Sequence, residues 1–290
     1  MSLDFPPSGS AFVVFRRPAV GDHAVEAKVD VRRRPDCAPP EWEWRGGRIV
    51  AWQPLSAVLT MASGARVSLE ATPPEPVRID GPWSVRFPVD WYTGGTRTKT
   101  VEFESPEDWS KSSDPDIRHF SGTAVYSKRV SFAPQSGART VLDLGAVWNF
   151  AEVKVDGKPF SALWRPPYRI DITDALKPGK GFFDLEVKVT NLWPNRLIGD
   201  DAMPADCVWE RSVRRGVDMY GVKELPKWVK EGGSSPAGRH TFTTWRHWKA
   251  TDPLLKSGLL GPVRLRFGVE AQPLAADLPL PSINQKGAGQ

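Results

Sequence analysis

From residue 77 onward the chain repeats one pattern, an apolar residue at every second position over a short run and then a turn. Trp83-Ser84-Val85-Arg86-Phe87, Thr100 to Glu104, Ala124 to Phe132, Thr140 to Leu144, Ala151 to Val155 and Phe183 to Val189 all follow it. Period two places successive side chains on opposite faces, so each run is a strand with one face on a core and the other in water. Asp156-Gly157, directly after Val155, signals a type I′ hairpin, and Val263 to Phe267 forms the last strand. Strands of this kind with no helical period between them predict an all-β fold, an antiparallel β-sandwich or jelly roll.

Shorter β runs precede it. Ser10 to Arg16 is continuous and apolar, Ala24 to Val29 and Arg48 to Trp52 alternate, and Arg66 to Glu70 puts Val67 and Leu69 on one face. Thr72-Pro73-Pro74-Glu75-Pro76 is a stiff linker, because consecutive prolines favour extended backbone and cannot join a ladder. The expected organisation is a small N-terminal β-rich segment (1–75), a jelly roll (76–270) and a flexible polar tail (271–290). One long insertion, residues 193–259, interrupts the alternation. It holds Trp193, Trp209, Tyr220, Trp228, Trp245 and Trp248, and so aromatic a segment is expected to be functional. Local helix is conceivable at 218–230, limited by Pro226.

Composition agrees: 28 Pro, 25 Gly and 13 Trp beside 4 Met favour short strands and tight turns. The net charge of +5 comes from 39 basic residues scattered among 34 acidic ones. Arg32 to Arg34 and Arg211 to Arg215 are the dense basic runs, and with no nucleic-acid motif beside them they read as solvated faces. Cys37 and Cys207 lie far apart and indicate no disulfide framework. No apolar run approaches the ~18–20 residues of a membrane helix, and the start of the chain lacks the pattern of a signal peptide.

The densest chemistry is Asn191-Leu192-Trp193-Pro194-Asn195-Arg196-Leu197-Ile198-Gly199-Asp200, read as a Pro-containing turn after a strand. An indole stacks on the C–H face of a pyranose, while Asn, Arg and Asp pair with hydroxyls; the competing reading is a turn braced by its own Arg and Asp. Glycoside hydrolysis needs two carboxylates about 5–9.5 Å apart. Asp171, Asp174, Asp200, Asp201 and Asp206 are the candidates, but Thr173 or Asp174 suits a cap, and adjacent Asp200 and Asp201 on extended chain would point apart. His119, His240 and His247 fit no zinc spacing. Ser112-Ser113-Asp114-Pro115-Asp116 suits either a Ca²⁺ ion or an Asx-turn. No phosphate loop, nucleophile elbow or dinucleotide fingerprint occurs, so no catalytic residue, metal ligand or cofactor is assigned.

Phe120 to Tyr126, Leu142-Asp143-Leu144-Gly145, Val153 to Lys158, Leu163 to Thr173 and Val187 to Asn191 together resemble the galactose-binding-like jelly roll of the β-galactosidase/β-glucuronidase family. With Asn191 to Asp200, Gly238 to Trp245, Ser257 to Val263 and Ser8 to Arg16 added, the set resembles the C-terminal region of bacterial family 106 glycoside hydrolases, the α-L-rhamnosidases. The resemblance implies catalytic glutamates in an upstream (β/α) barrel, which needs ~200–250 residues of its own. It therefore implies a non-catalytic β-sandwich that binds sugar or supports the barrel, and a periplasmic or secreted setting.

The expected partners are a carbohydrate ligand and that barrel, with neither nucleic acid nor membrane. Trp193, Trp245 and Trp248 are the expected stacking surfaces, and Asn195, Arg196, Asp200 and Arg239 the expected hydroxyl partners. Trp164 and Tyr168 are expected to pack on the sheet end. Two alternatives stay open: a purely structural domain docking on a barrel, and a self-sufficient hydrolase using a carboxylate of the insertion.

Overall fold

The computed structural model describes residues 19, 21–34, 40–90, 94–132 and 137–274. The run Ser8 to Arg16, Cys37 and the tail after Leu274 lie outside the described residues. The fold is all-β and antiparallel. In chain order the strands are β1 (Ala24–Val31), β2 (Trp42–Arg45), β3 (Arg48–Ala51), β4 (Leu55–Met61), β5 (Arg66–Ala71), β6 (Val77–Arg78), β7 (Trp83–Pro88) and β8 (Thr98–Phe103). The short helix α1 (Pro115–Arg118) precedes β9 (Thr123–Ser131), β10 (Arg139–Asp143), β11 (Ala146–Trp148), β12 (Phe150–Val155), β13 (Lys158–Pro159), β14 (Arg169–Asp171) and β15 (Phe182–Thr190). Then come α2 (Pro194–Asp201), β16 (Trp209–Arg214), β17 (Val217–Val222), α3 (Lys227–Lys230), β18 (Gly258–Gly261), β19 (Arg264–Glu270) and β20 (Gln272–Pro273).

The described residues divide into two compact units, one formed by those up to 76 with 137–141 and 266–274, the other by those from 77 to 132 and 142 to 265. In the first, β1, β4, β5 and β20 form an antiparallel sheet. Ile49, Ala51, Leu55, Ala57, Leu59, Leu69 and Ala71 make its core. Leu55, Ala57 and Leu59 alternate with more exposed neighbours along β4, a strand the sequence reading did not single out.

The second unit is built on a six-stranded sheet in the order β13-β12-β15-β9-β7-β8. Its inner face carries Trp83, Val85 and Phe87 of β7, Ala124 and Tyr126 of β9, and Val187 and Val189 of β15, all buried. Alternation along each run put them there, and each large side chain removed from water contributes ~1.5–3 kcal/mol. Asp156 and Gly157 both take positive φ (48° and 81°) between β12 and β13, as a type I′ turn requires. Phe87 packs edge-on against Trp109 and Phe120, each centroid 5.1 Å away.

Trp109 Nε1 donates to the Tyr126 hydroxyl at 2.6 Å, which also accepts the Leu259 amide at 3.2 Å. Burial pushes the Tyr126 phenol pKa well up, so it stays a neutral anchor. Gly258 passes against this ring with φ +100°, and a Cβ there would lie 2.5 Å from Trp109 Nε1. Ser257, one residue earlier, donates its amide to Asp108 at 3.0 Å and its carbonyl accepts the Trp109 amide at 3.0 Å. The core thus fixes where the long insertion rejoins the sandwich.

Several local expectations are corrected. The stretch read as a turn at Pro194 is the helix α2, because Pro at the first helical position loses no hydrogen bond and is already set to helical φ. The insertion is not devoid of strands: β16 and β17 pair from Trp209↔Val222 to Arg214↔Val217 around Arg215-Gly216, both at positive φ. Residues 217–222 are therefore strand, and helix is confined to α3 after Pro226. Asp171, rather than Thr173 or Asp174, holds the short 3-10 turn, accepting the Thr173 amide and hydroxyl at 3.1 and 2.6 Å.

Asp114 caps α1 through the Asp116 amide at 3.0 Å, and Lys99 bonds Asp114 and Asp116, so an internal cation balances these two carboxylates. Tyr168 is buried and donates to Asn149 O at 2.9 Å. Trp164 instead stands 68% exposed, with its neighbour Arg165 over the ring.

Candidate functional site

The site grows from α2. Asn191, at the end of β15, donates to Phe120 O at 2.7 Å and accepts the Gly122 amide at 2.9 Å. Asn195, the second residue of the helix, donates to Leu255 O and Ser257 Oγ at 2.7 and 2.9 Å and accepts the Leu255 amide at 2.8 Å. Both amides splice the helix start to the returning chain. Gly199 lets the helix lie against His119, since a Cβ would come within 2.8 Å of that side chain.

The helix ends on two carboxylates, where its own dipole disfavours negative charge, and both are compensated. Asp200 faces Arg196 at 2.9 Å, both almost wholly buried. It also accepts the His240 amide at 3.0 Å and the Thr241 amide and hydroxyl at 2.7 and 2.6 Å. Asp201 receives a two-point fork from Arg246 at 2.8 and 2.9 Å and the Ala250 amide at 2.9 Å. Burial opposes ionisation of Asp201, yet the bonds from Arg246 and Ala250 outweigh it and its pKa is lowered.

Between these two anchors runs the aromatic segment 241–250. Its middle adds alongside β17: Val222 N donates to Thr244 O and Arg246 N to Tyr220 O, each at 2.9 Å. The result is a cleft of about 540 Å³ bordered by Trp209, Trp245, Trp248 and His247 with Asp201 and Arg246. Trp245 is 46% exposed, and His247 sits between the indoles, 5.0 Å from Trp245 and 5.1 Å from Trp248. On the far wall Asp206 accepts from Ser235 at 2.6 Å and faces Arg239 at 3.6 Å. Burial and the Asp206 charge raise the pKa of Cys207, and burial lowers that of His240.

The structure brings together Asp200, Arg239, Trp245 and Trp248 of the expected sugar-contacting residues. Trp193 borders a separate hollow with Pro88, Ser121 and Thr190. Asn195, Arg196 and Asp200 are 1%, 4% and 3% exposed and hold α2 to its surroundings, so they present little surface to a sugar hydroxyl; among the described residues Arg196 Nε and Asp200 Oδ1 have no hydrogen-bond partner. Arg239 likewise donates to Met203 O and Pro204 O, both at 2.9 Å. Arg246 and Trp209 also border the cleft and were not among the expected sugar-contacting residues, nor were Asp201 and His247, which the sequence offered only as a candidate acid and a candidate metal ligand. Gly216 after Arg215 was the one local turn signal for the hairpin that carries Trp209, and the weak alternation of 209–214 gave it little support.

Chemically, the cleft offers aromatic faces and fixed polar groups. Its three carboxylates, Asp200, Asp201 and Asp206, each face a guanidinium.

No protein-family model matches the chain. It is 42% identical over 200 residues to a Formosa agariphila protein named "Putative beta-glucuronidase", a match covering 68% of this chain and 16% of that protein. The chain thus spans about a sixth of that relative's length. Among solved structures it is similar to the rhamnosidase from Novosphingobium sp. PP1Y (TM-score 0.49, 23% identity, 83% of this chain and 25% of that one). It is also similar to the β-D-glucuronidase of Dictyoglomus thermophilum (TM-score 0.34, 20% identity, 50% and 24%).

Proposed function

We propose that this chain is the non-catalytic β-sandwich portion of a glycoside hydrolase, and that the cleft at Trp245 and Trp248 holds part of a carbohydrate. The observation that carries the reading is the pairing of Asp200 with Arg196, Asp201 with Arg246 and Asp206 with Arg239 beside an exposed indole wall. Hydrolysis needs one carboxyl as proton donor and a second, ionised, as base or nucleophile, and each of these three instead faces a guanidinium. Stacking on Trp245 needs no such group. The resemblance of the sequence motifs points to rhamnose-containing glycans, the name of the Formosa relative to glucuronides. Titration with oligosaccharides, followed by tryptophan fluorescence, tests the reading; loss of the response in Trp245→Ala supports it, and no response to any saccharide at millimolar concentration defeats it.

A second reading, support of a catalytic barrel in the same enzyme, is favoured by a different observation. Leu192 and Trp148 are 51% and 40% exposed and, with Leu254 and Leu255, border a shallow apolar hollow of about 320 Å³. Contiguous exposed apolar surface is typical of an interface. Association in trans with a separately produced catalytic domain, abolished by Leu192→Asp, is the test.

A further inference from the structure

The three ion pairs around the cleft differ in exposure. Arg196 and Arg239 keep 5% and 11% of their side chains exposed, whereas Arg246 keeps 38%. Arg246 is therefore the guanidinium most open to an entering ligand, and its charge is held by Asp201 through both Nε and Nη2. A sugar carboxylate loses its hydration on entering such a site and needs an uncommitted cation in return. Here it would meet Arg246 already matched and the carboxylates of Asp201 and Asp206 nearby, a like-charge juxtaposition that is strongly unfavourable. An uncharged saccharide loses less: its hydroxyls exchange water for protein at little net cost, and its C–H face gains from Trp245 and Trp248.

We propose that Asp201 sets the charge selectivity of the cleft: by neutralising Arg246 it makes the site take uncharged sugars and reject uronates. The inference rests on the cleft being a carbohydrate site. It adds a specificity-determining residue to that reading and gives the cleft a preference opposite in charge type to the glucuronide that the Formosa relative's name implies. Its wall also fixes the loop, since the Ala250 amide bonds the same carboxylate.

The test compares the methyl glycosides of glucose, galactose and mannose with the matching uronic acids, by ligand-observed NMR and calorimetry on the full chain at pH 8 and low salt. The wild type is expected to bind at least one neutral glycoside and its uronate about tenfold more weakly, the scale of one uncompensated charge contact. In Asp201→Asn the ratio of uronate to neutral-glycoside affinity should rise by about that factor. The double variant Asp201→Asn with Arg246→Gln should again reject the uronate. A wild type that binds uronates as tightly as neutral sugars overturns the charge selectivity alone, and this comparison decides even where Asp201→Asn fails to fold. A wild type that binds neither overturns the carbohydrate reading, and the selectivity falls with it. Uronate affinity unchanged in a folded Asp201→Asn removes Asp201 as its determinant.

Discussion

Asp200 and Asp201 are neighbours in the chain and hold opposite ends of one segment: Asp200 binds the amides of His240 and Thr241, and Asp201 binds Arg246 and the amide of Ala250. Consecutive positions on a helix diverge by about 100°, so one carboxylate turns inward to Arg196 and the other outward to the cleft. The aromatic segment between them is shaped by α2 rather than by its own local preferences.

Removing the inward carboxylate should be the costlier change. Asp200→Ala leaves Arg196 as an unmatched buried cation and strands two amides, an expected loss of ~3–5 kcal/mol. Asp201→Ala, whose partner reaches solvent, should cost less and chiefly loosen residues 246–250. Urea denaturation of both variants, with tryptophan emission as the local readout, checks the order; equal losses would refute it.

Trp245→Ala should separate function from folding. The indole is nearly half exposed, so the melting temperature should move little. Saccharide affinity should drop about tenfold, from loss of ~1–2 kcal/mol of stacking and apolar contact. An affinity unchanged by the substitution would place the ligand elsewhere.

At Gly258 a methyl group has no room. Positive φ and a 2.5 Å approach to Trp109 mean that Gly258→Ala must displace the ring that anchors Tyr126, at an expected ~2–4 kcal/mol from strain and lost packing. Tyr126→Phe keeps the volume but leaves the Trp109 N–H without its acceptor, and should cost ~1–3 kcal/mol. Thermal unfolding of both, against wild type, measures these losses.

Stability should fall on mild acidification. Burial lowers the pKa of His119 and His240 below the ordinary 6.5, and the nearby Arg196 charge acts in the same direction. A depressed folded-state pKa means that the unfolded chain binds the protons first. The stability present above about pH 6.5 is therefore lost as pH falls toward the lower folded values. Melting temperature followed from pH 8 to pH 5 should decline, and less steeply in His240→Gln. A flat wild-type profile would contradict it.

The alternating runs from Trp83 to Val189 were legible because period two is a local property: it states which side chains share a face whatever that face later covers. The Asp156-Gly157 turn was legible for the same reason, since only its two residues need positive φ. By contrast, α2 was read as a turn because a short helix opened by Pro carries little periodic signal, and it persists through Asn191 and Asn195 binding residues 120–122 and 255–257. Trp245 and Trp248 were picked out as stacking residues in the sequence, and both border the same cleft. Trp193, chosen on the same grounds, faces another hollow.

What the sequence determined by itself was the all-β class, the strands of the main sheet and the aromatic wealth of the insertion, because each follows from residue type and spacing along a few neighbours. Only the tertiary structure decided that Asn195, Arg196 and Asp200 are consumed inside the protein while Trp245 stays open. It also matched Asp201 with Arg246 and Asp206 with Arg239, while the Arg196 and Asp200 pair was already the competing reading of the sequence. Burial and charge pairing depend on what lies across space, and spacing along the chain does not encode that distance.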